Sequence, residues 1–155
     1  MIKLSATSLD PTELQTAFCN TSQGSGGIVS FIGNVRPNSV NGAVQKLELQ
    51  AYSPMTENLI SKEVNKAIQL WSLQSAWVVH RIGSVLATEP IVFVATASKH
   101  RRAAFEAADF LMDYLKTRAI FWKKEVTATG EYWIEPRGDD YSDAARWNQL
   151  EVVVS

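Results

Sequence analysis

The sequence predicts one α+β domain with a mixed, largely antiparallel sheet and three main helices. Three observations predict it. Several short segments alternate apolar and polar residues, the period of a strand. Three longer stretches instead repeat apolar residues every three or four positions, the period of an amphipathic helix. The order is strand, helix, two strands, helix, two strands, helix, two strands, and the last pair is joined by a Thr129-Gly130 turn, a hairpin signal.

Ile2, Leu4 and Ala6 alternate as a first strand. Asp10-Pro11-Thr12-Glu13 starts a helix, with Asp10 as cap and Pro11 in the first turn; Leu14, Ala17 and Phe18 give it an apolar side. Gly24-Ser25-Gly26-Gly27 is a loop before the strand Ile28–Ile32. The Gly-, Asn- and Pro-containing run 33–42 is a long connection, and it lacks the Lys-Ser/Thr of a phosphate-binding loop. Residues 44–52 alternate as a half-buried strand. Ser53-Pro54 caps the second helix, whose face runs through Met55, Leu59, Ile60, Val64, Ala67, Ile68 and Trp71.

Residues 77–82 and 91–97 are strands, and the second is apolar on both faces, as a central strand is. The third helix covers about residues 100–117, with Phe105, Ala108, Met112 and Leu115 on its buried face. Residues 120–127 and 131–134 form the closing hairpin, and a polar, acidic tail follows from Pro136. Most of the five tryptophans read as core; Trp147, in that tail, reads as an edge or interface anchor.

Composition narrows the function. The chain has 155 residues, a net charge of -1 and 46% hydrophobic residues, enough for a core without disulfides or metals. Near-neutral charge and the lack of an aromatic-basic repeat argue against a dedicated nucleic-acid binder. One cysteine, Cys19, and two histidines, His80 and His100, leave little for a metal, so no metal and no resident cofactor are expected. No apolar run has transmembrane length, and the first residues lack a signal-peptide pattern, so a cytoplasmic protein is expected.

The charge is uneven. Residues 99–124 hold seven basic residues against three acids, and residues 125–155 hold two against seven. Concentrated positive charge in a near-neutral chain suggests a local anion site. Lys99, His100, Arg101 and Arg102 fall where a central strand gives way to a helix, whose N-terminus itself favours an anion. Lys116 and Arg118 lie in the last turn, where the dipole already favours cations. On the next strand Phe121, Lys123 and Glu125 share one face, Trp122 and Lys124 the other. A lysine on the face meeting the protein needs a partner or a function. His80, inside a strand, reads as a structural histidine, and Cys19 as a small buried filler.

Several segments together resemble the large, catalytic subunits of molybdopterin synthase. They are Phe31-Ile32-Gly33-Asn34-Val35-Arg36, Ala51-Tyr52-Ser53-Pro54-Met55, His80-Arg81-Ile82-Gly83, Ser98-Lys99-His100-Arg101, the long run Met112 to Glu125, and Ala144-Ala145-Arg146-Trp147. The resemblance spans residues 25–147. It sets a single domain of residues 1–147 with a tail, 148–155, whose Val152-Val153-Val154 suits an edge strand.

The resemblance implies an α/β-hammerhead-type fold and a sulfurtransferase of molybdenum cofactor biosynthesis. That family converts a cyclic pyranopterin monophosphate, precursor Z, to molybdopterin. Its sulfur arrives as a C-terminal Gly-Gly thiocarboxylate on a small ubiquitin-like partner. A homodimer of large subunits forms the centre of a heterotetramer. Matched motif by motif, Lys116 and Lys123 are the catalytic lysines. Asn34, Val35 and Arg36 form a substrate-binding segment, His100 and Arg101 bind substrate from the other protomer, and Lys124 and Glu125 flank Lys123 in the binding segment. Three departures stand out: Asn34 replaces a common lysine, Ile120 stands where proline is usual, and Thr88-Glu89-Pro90 lacks the usual glycine.

Overall fold

In the computed structural model, which describes residues 1–150, the elements run β1 (Ile2–Ser5), α1 (Pro11–Thr21), β2 (Gly27–Asn34), β3 (Asn38–Ser39), β4 (Gly42–Ala51), α2 (Met55–Leu70), β5 (Ser75–Arg81), β6 (Gly83–Leu86), β7 (Pro90–Ser98), α3 (Arg101–Thr117), β8 (Phe121–Thr127), β9 (Gly130–Ile134) and α4 (Gly138–Ala145), followed by a 3-10 turn, Asn148–Leu150. The expected strand at Val152–Val154 lies outside the described residues.

The mixed, largely antiparallel β-structure is divided into two sheets. One has the order β1-β5-β7-β2, with β1 parallel to β5 and the other pairs antiparallel. The other runs β3-β4-β8-β9, with β6 also paired to β4. The chain crosses between sheets at Ile82-Gly83, where Gly83 has φ 78°, a left-handed turn that favours glycine.

Alternation sorts the first sheet. Ala76, Val78, Val92 and Val94 face α2 and α3 and join Ile60, Val64, Phe110 and Leu111 in the main core. Val79, Phe93, Ala95 and Ala97 face the opposite way, toward Phe18 of α1. The two-sided apolar run is the inner strand β7, as its pattern predicts. Asp10 caps α1 as expected, its Oδ1 accepting from Thr12 and Glu13 N–H.

Four expectations change. Phe105 is 61% exposed, whereas Ala108 and Leu115 are buried as expected and Met112 packs against the core; the buried arc of α3 also takes in Ala104, Ala107, Leu111 and Tyr114. Met55, expected on the apolar face of α2, is 55% exposed at the first turn. Trp122 and Trp133 are exposed on the outer side of the second sheet, edge to face at 5.7 Å, because β8 and β9 present that side to solvent. The acidic tail forms α4, and Trp147 anchors it, packing on Trp71 and Phe110 and donating its indole N–H to Asp113 at 2.6 Å.

The start of α2 also differs. Ser53 Oγ bonds the Glu57 carboxylate instead of capping the backbone. The backbone N–H of Tyr52 is taken by Thr56 Oγ1 at 2.9 Å, and that fully buried hydroxyl donates onward to Ile120 O at 3.0 Å. The start of α2 is thereby tied to the link between α3 and β8.

Candidate active site

Lys116 lies in the last turn of α3, and β8 begins after a three-residue link that Thr56 holds. On β8, Phe121, Lys123, Glu125 and Thr127 face the protein, while Trp122 and Lys124 face outward. The faces were sorted by alternation, and the tertiary structure decides which of them is inside.

Beneath this face lies His80. Its side chain is buried, 4% exposed, and its Nδ1 is 2.7 Å from the carbonyl oxygen of Arg81. A carbonyl only accepts, so Nδ1 carries the hydrogen. The imidazole stacks on Phe121, centroids 4.3 Å apart and planes 19° apart. Lys123 Nζ is 5.9 Å from the centroid of that same phenyl ring.

Burial is the main cause that pushes the His80 pKa down to about 4; the Arg81 bond opposes this, and the charges of Lys123 and Lys116 add to it. The ring is neutral at physiological pH. Lys123 is also shifted, down to about 8. The first cause is withdrawal of its ammonium from water, although part of the side chain reaches the surface; Lys116 adds to the shift and Asp140 opposes it. Lys116, Lys123 and His80 therefore form one electrostatic cluster.

Glu125 does not meet the lysines. Its buried carboxylate accepts from Ser39 Oγ at 2.5 Å and Asn41 Nδ2 at 3.2 Å. It pins the 34–42 connection over the inner face of β8. Val35 is the other pin: 2% exposed, it packs with Val44, Leu49 and Val85. Its N–H bonds Glu89 O at 3.0 Å, and its carbonyl accepts from Thr88 N–H at 2.8 Å. Asn34 and Arg36 are left exposed on either side of this plug.

Not every candidate joins this cluster. Lys124 is on the opposite face, bonded to Glu48 at 3.1 Å and Glu131 at 2.8 Å, which raise its pKa. His100 and Arg101 are exposed at the start of α3, held near Gly26 and Gly27, where an added Cβ would strike the backbone of Lys99 and Arg101. A helix of 17 residues puts them about 24 Å from Lys116. The basic stretch that looked like one site is two ends of one helix plus a strand.

Sequence reasoning missed two contributors. Asp140 comes close enough to act on Lys123 because α4 is clasped to α3, Arg146 reaching both Asp109 and Asp113 at 2.9 Å. The one local signal was the acidic N-terminal turn of α4, where Asp140 accepts from Arg137 N–H at 2.8 Å. Alternation places Phe121 on the face of Lys123, but no local pattern shows that it stacks on a residue of β5.

In a small α+β domain, two lysines close enough to act on one another, one with its pKa lowered to about 8, are an arrangement suited to proton transfer or charge stabilisation, as in an enzyme site. Comparison with known proteins shows the family. The family model described as "MoaE protein" matches residues 4–118. The molybdopterin synthase catalytic subunit of Caulobacter vibrioides is 45% identical over 149 residues, 96% of this chain and 98% of that protein. Among solved structures, the molybdopterin biosynthesis MoaE protein of Burkholderia ambifaria superposes with a TM-score of 0.80 at 37% identity, covering 95% of this chain and 97% of that one. The molybdopterin synthase of Staphylococcus aureus gives a TM-score of 0.77 at 28% identity, covering 84% and 94%. The chain belongs to the MoaE family, the catalytic subunits of molybdopterin synthase.

Proposed function

We propose that this protein inserts the dithiolene sulfurs of molybdopterin into a cyclic pyranopterin monophosphate, taking sulfur from the C-terminal thiocarboxylate of a small ubiquitin-like carrier. The observation that carries the reading is the coupled pair Lys116–Lys123, with the Lys123 pKa near 8. The relatives' name, catalytic subunit, itself implies a further subunit.

The chemistry follows from the charges. Attack of the thiocarboxylate sulfur on an oxygen-bearing carbon of the pterin forms a carbon–sulfur bond and breaks a carbon–oxygen bond, leaving carrier and substrate joined as a thioester; Lys123 supplies the ammonium that meets the negative charge developing on the departing oxygen or delivers its proton. Water then cleaves the acyl–sulfur bond through a tetrahedral oxyanion. Lys116, exposed at the rim, stabilises that oxyanion, and the carrier leaves as a carboxylate. Arg36, on its pinned loop, grips the phosphate, with Asn34 beside it. Glu125 contributes by holding that loop, and Lys124 by fixing β8 against β4 and β9.

His100 and Arg101 act in the site of a second copy, since one chain separates them from its own lysines. The apolar residues Ile28, Phe31 and Ile32 on the edge strand β2, with Phe105 on α3, support self-association. The test is incubation with the pterin phosphate and thiocarboxylated carrier, followed by detection of the dithiolene product. Absence of product with an active carrier preparation defeats the reading.

A further inference from the structure

We propose that His80 is a positioning residue for Lys123: its imidazole seats the phenyl ring of Phe121, and that ring seats the ammonium. The inference deepens the sulfur-transfer reading and takes its catalytic meaning from it.

The chain of contacts is explicit. The Arg81 carbonyl fixes the imidazole through Nδ1, so the ring cannot rotate without losing a buried hydrogen bond. The imidazole lies nearly parallel to Phe121 at 4.3 Å, and Lys123 Nζ stands 5.9 Å from the centre of the same phenyl ring. Phe121 begins β8 next to the Ile120 carbonyl that Thr56 ties to α2, so both rings of this short relay are anchored.

The ring is suited to the task because it stays uncharged. A third cation under two lysines would repel both, and burial together with the lysine charges keeps His80 neutral. The charged groups acting on Lys123 are Lys116 from α3 and Asp140 from α4, while Glu125 on its own face is bonded to Ser39 and Asn41. His80 and Phe121 add no charge to that balance; they exclude water from one side of the ammonium. A polar, non-aromatic residue in place of His80 releases Phe121 and lets water reach Lys123. A phenyl ring there retains the stack.

The experiment is an NMR titration of lysine 13Cε signals in the free, folded protein, with Lys123→Arg identifying the Lys123 signal. The variants are His80→Gln, His80→Phe and Phe121→Leu, each checked for cooperative thermal unfolding. In His80→Gln and in Phe121→Leu the Lys123 midpoint rises by about one pH unit, toward the ordinary lysine value. In His80→Phe it stays within a few tenths of wild type. Turnover follows: His80→Gln lowers kcat about tenfold with little change in KM, and His80→Phe restores most of it. A Lys123 midpoint unchanged in His80→Gln or Phe121→Leu, or displaced equally in His80→Phe and His80→Gln, overturns the proposal. If one of the two disruptive variants does not fold, the other carries the comparison. The titration needs no substrate, so a wild-type protein that titrates as expected but yields no product sinks the sulfur-transfer reading alone.

Discussion

Ser39 Oγ donates a 2.5 Å hydrogen bond to Oε1 of Glu125, joining residues 86 apart in the chain. One carboxylate thus ties the connection that carries Arg36 to the strand that carries Lys123. Each of the two hydrogen bonds to this buried carboxylate contributes ~1.5–3 kcal/mol to holding that loop. Glu125→Ala is expected to raise KM for the pterin phosphate about tenfold or more while kcat falls less. Steady-state kinetics at constant carrier concentration check this, and an unchanged KM removes Glu125 from any role in holding the loop.

Lys116→Ala and Lys123→Ala are expected to keep the fold and each lose roughly 100-fold or more of sulfur transfer, as removal of a charge-stabilising or proton-transferring group does. Lys124→Met is the comparison, since its ammonium is held by Glu48 and Glu131 on the outer face; turnover is expected to stay within about threefold. Product formation by the dithiolene assay separates the three. Near-normal rates in both alanine variants refute the assignment.

Lysine is charged below its pKa, and that of Lys123 is lowered to about 8. An ammonium acting as acid or electrostatic partner is lost as pH rises through that value. Sulfur transfer is therefore expected to fall on the alkaline side with a midpoint about 8, where an unperturbed lysine would hold it to about pH 10.5. A pH–rate profile measures it, and activity that climbs steadily to pH 10 contradicts an ammonium role.

His80 is buried neutral with its pKa lowered to about 4 from the ordinary 6.5. The unfolded chain binds this proton more readily, so stability is complete above about pH 6.5 and is lost as pH falls toward 4. The loss amounts to up to ~3 kcal/mol. Urea unfolding across that window is expected to show the slope in wild type and a flatter one in His80→Phe. Parallel slopes mean that other groups govern acid stability.

Thr88 adopts φ 72° while its N–H bonds the Val35 carbonyl. A β-branched residue is strained there, and glycine is not, although glycine has more unfolded-state freedom to lose. Thr88→Gly is expected to add about 0.5–1 kcal/mol, read as a higher Tm, with activity retained. A lowered Tm would show that the Thr88 side chain contributes more than its backbone strain removes.

The sequence by itself determined a good deal. Period-2 and period-3.6 patterns marked nine of the elements, and the apolar run of β7 marked the inner strand, because burial leaves its imprint directly on residue type. The motif around Lys116 and Lys123 marked the family. The short β3 and β6 carry too few residues to show a period, and α4 is mostly polar, held by Arg146 and Trp147 gripping Asp109 and Asp113 of another helix. Only the tertiary structure decided that Lys123 faces inward and Lys124 outward, that His80 lies under Phe121, and that His100 and Arg101 stand a helix length from Lys116. Alternation along β8 divides its residues into two faces but leaves open which is buried. That choice is made where β8 docks beside β4, through contacts between residues too distant in the chain for any local pattern to encode.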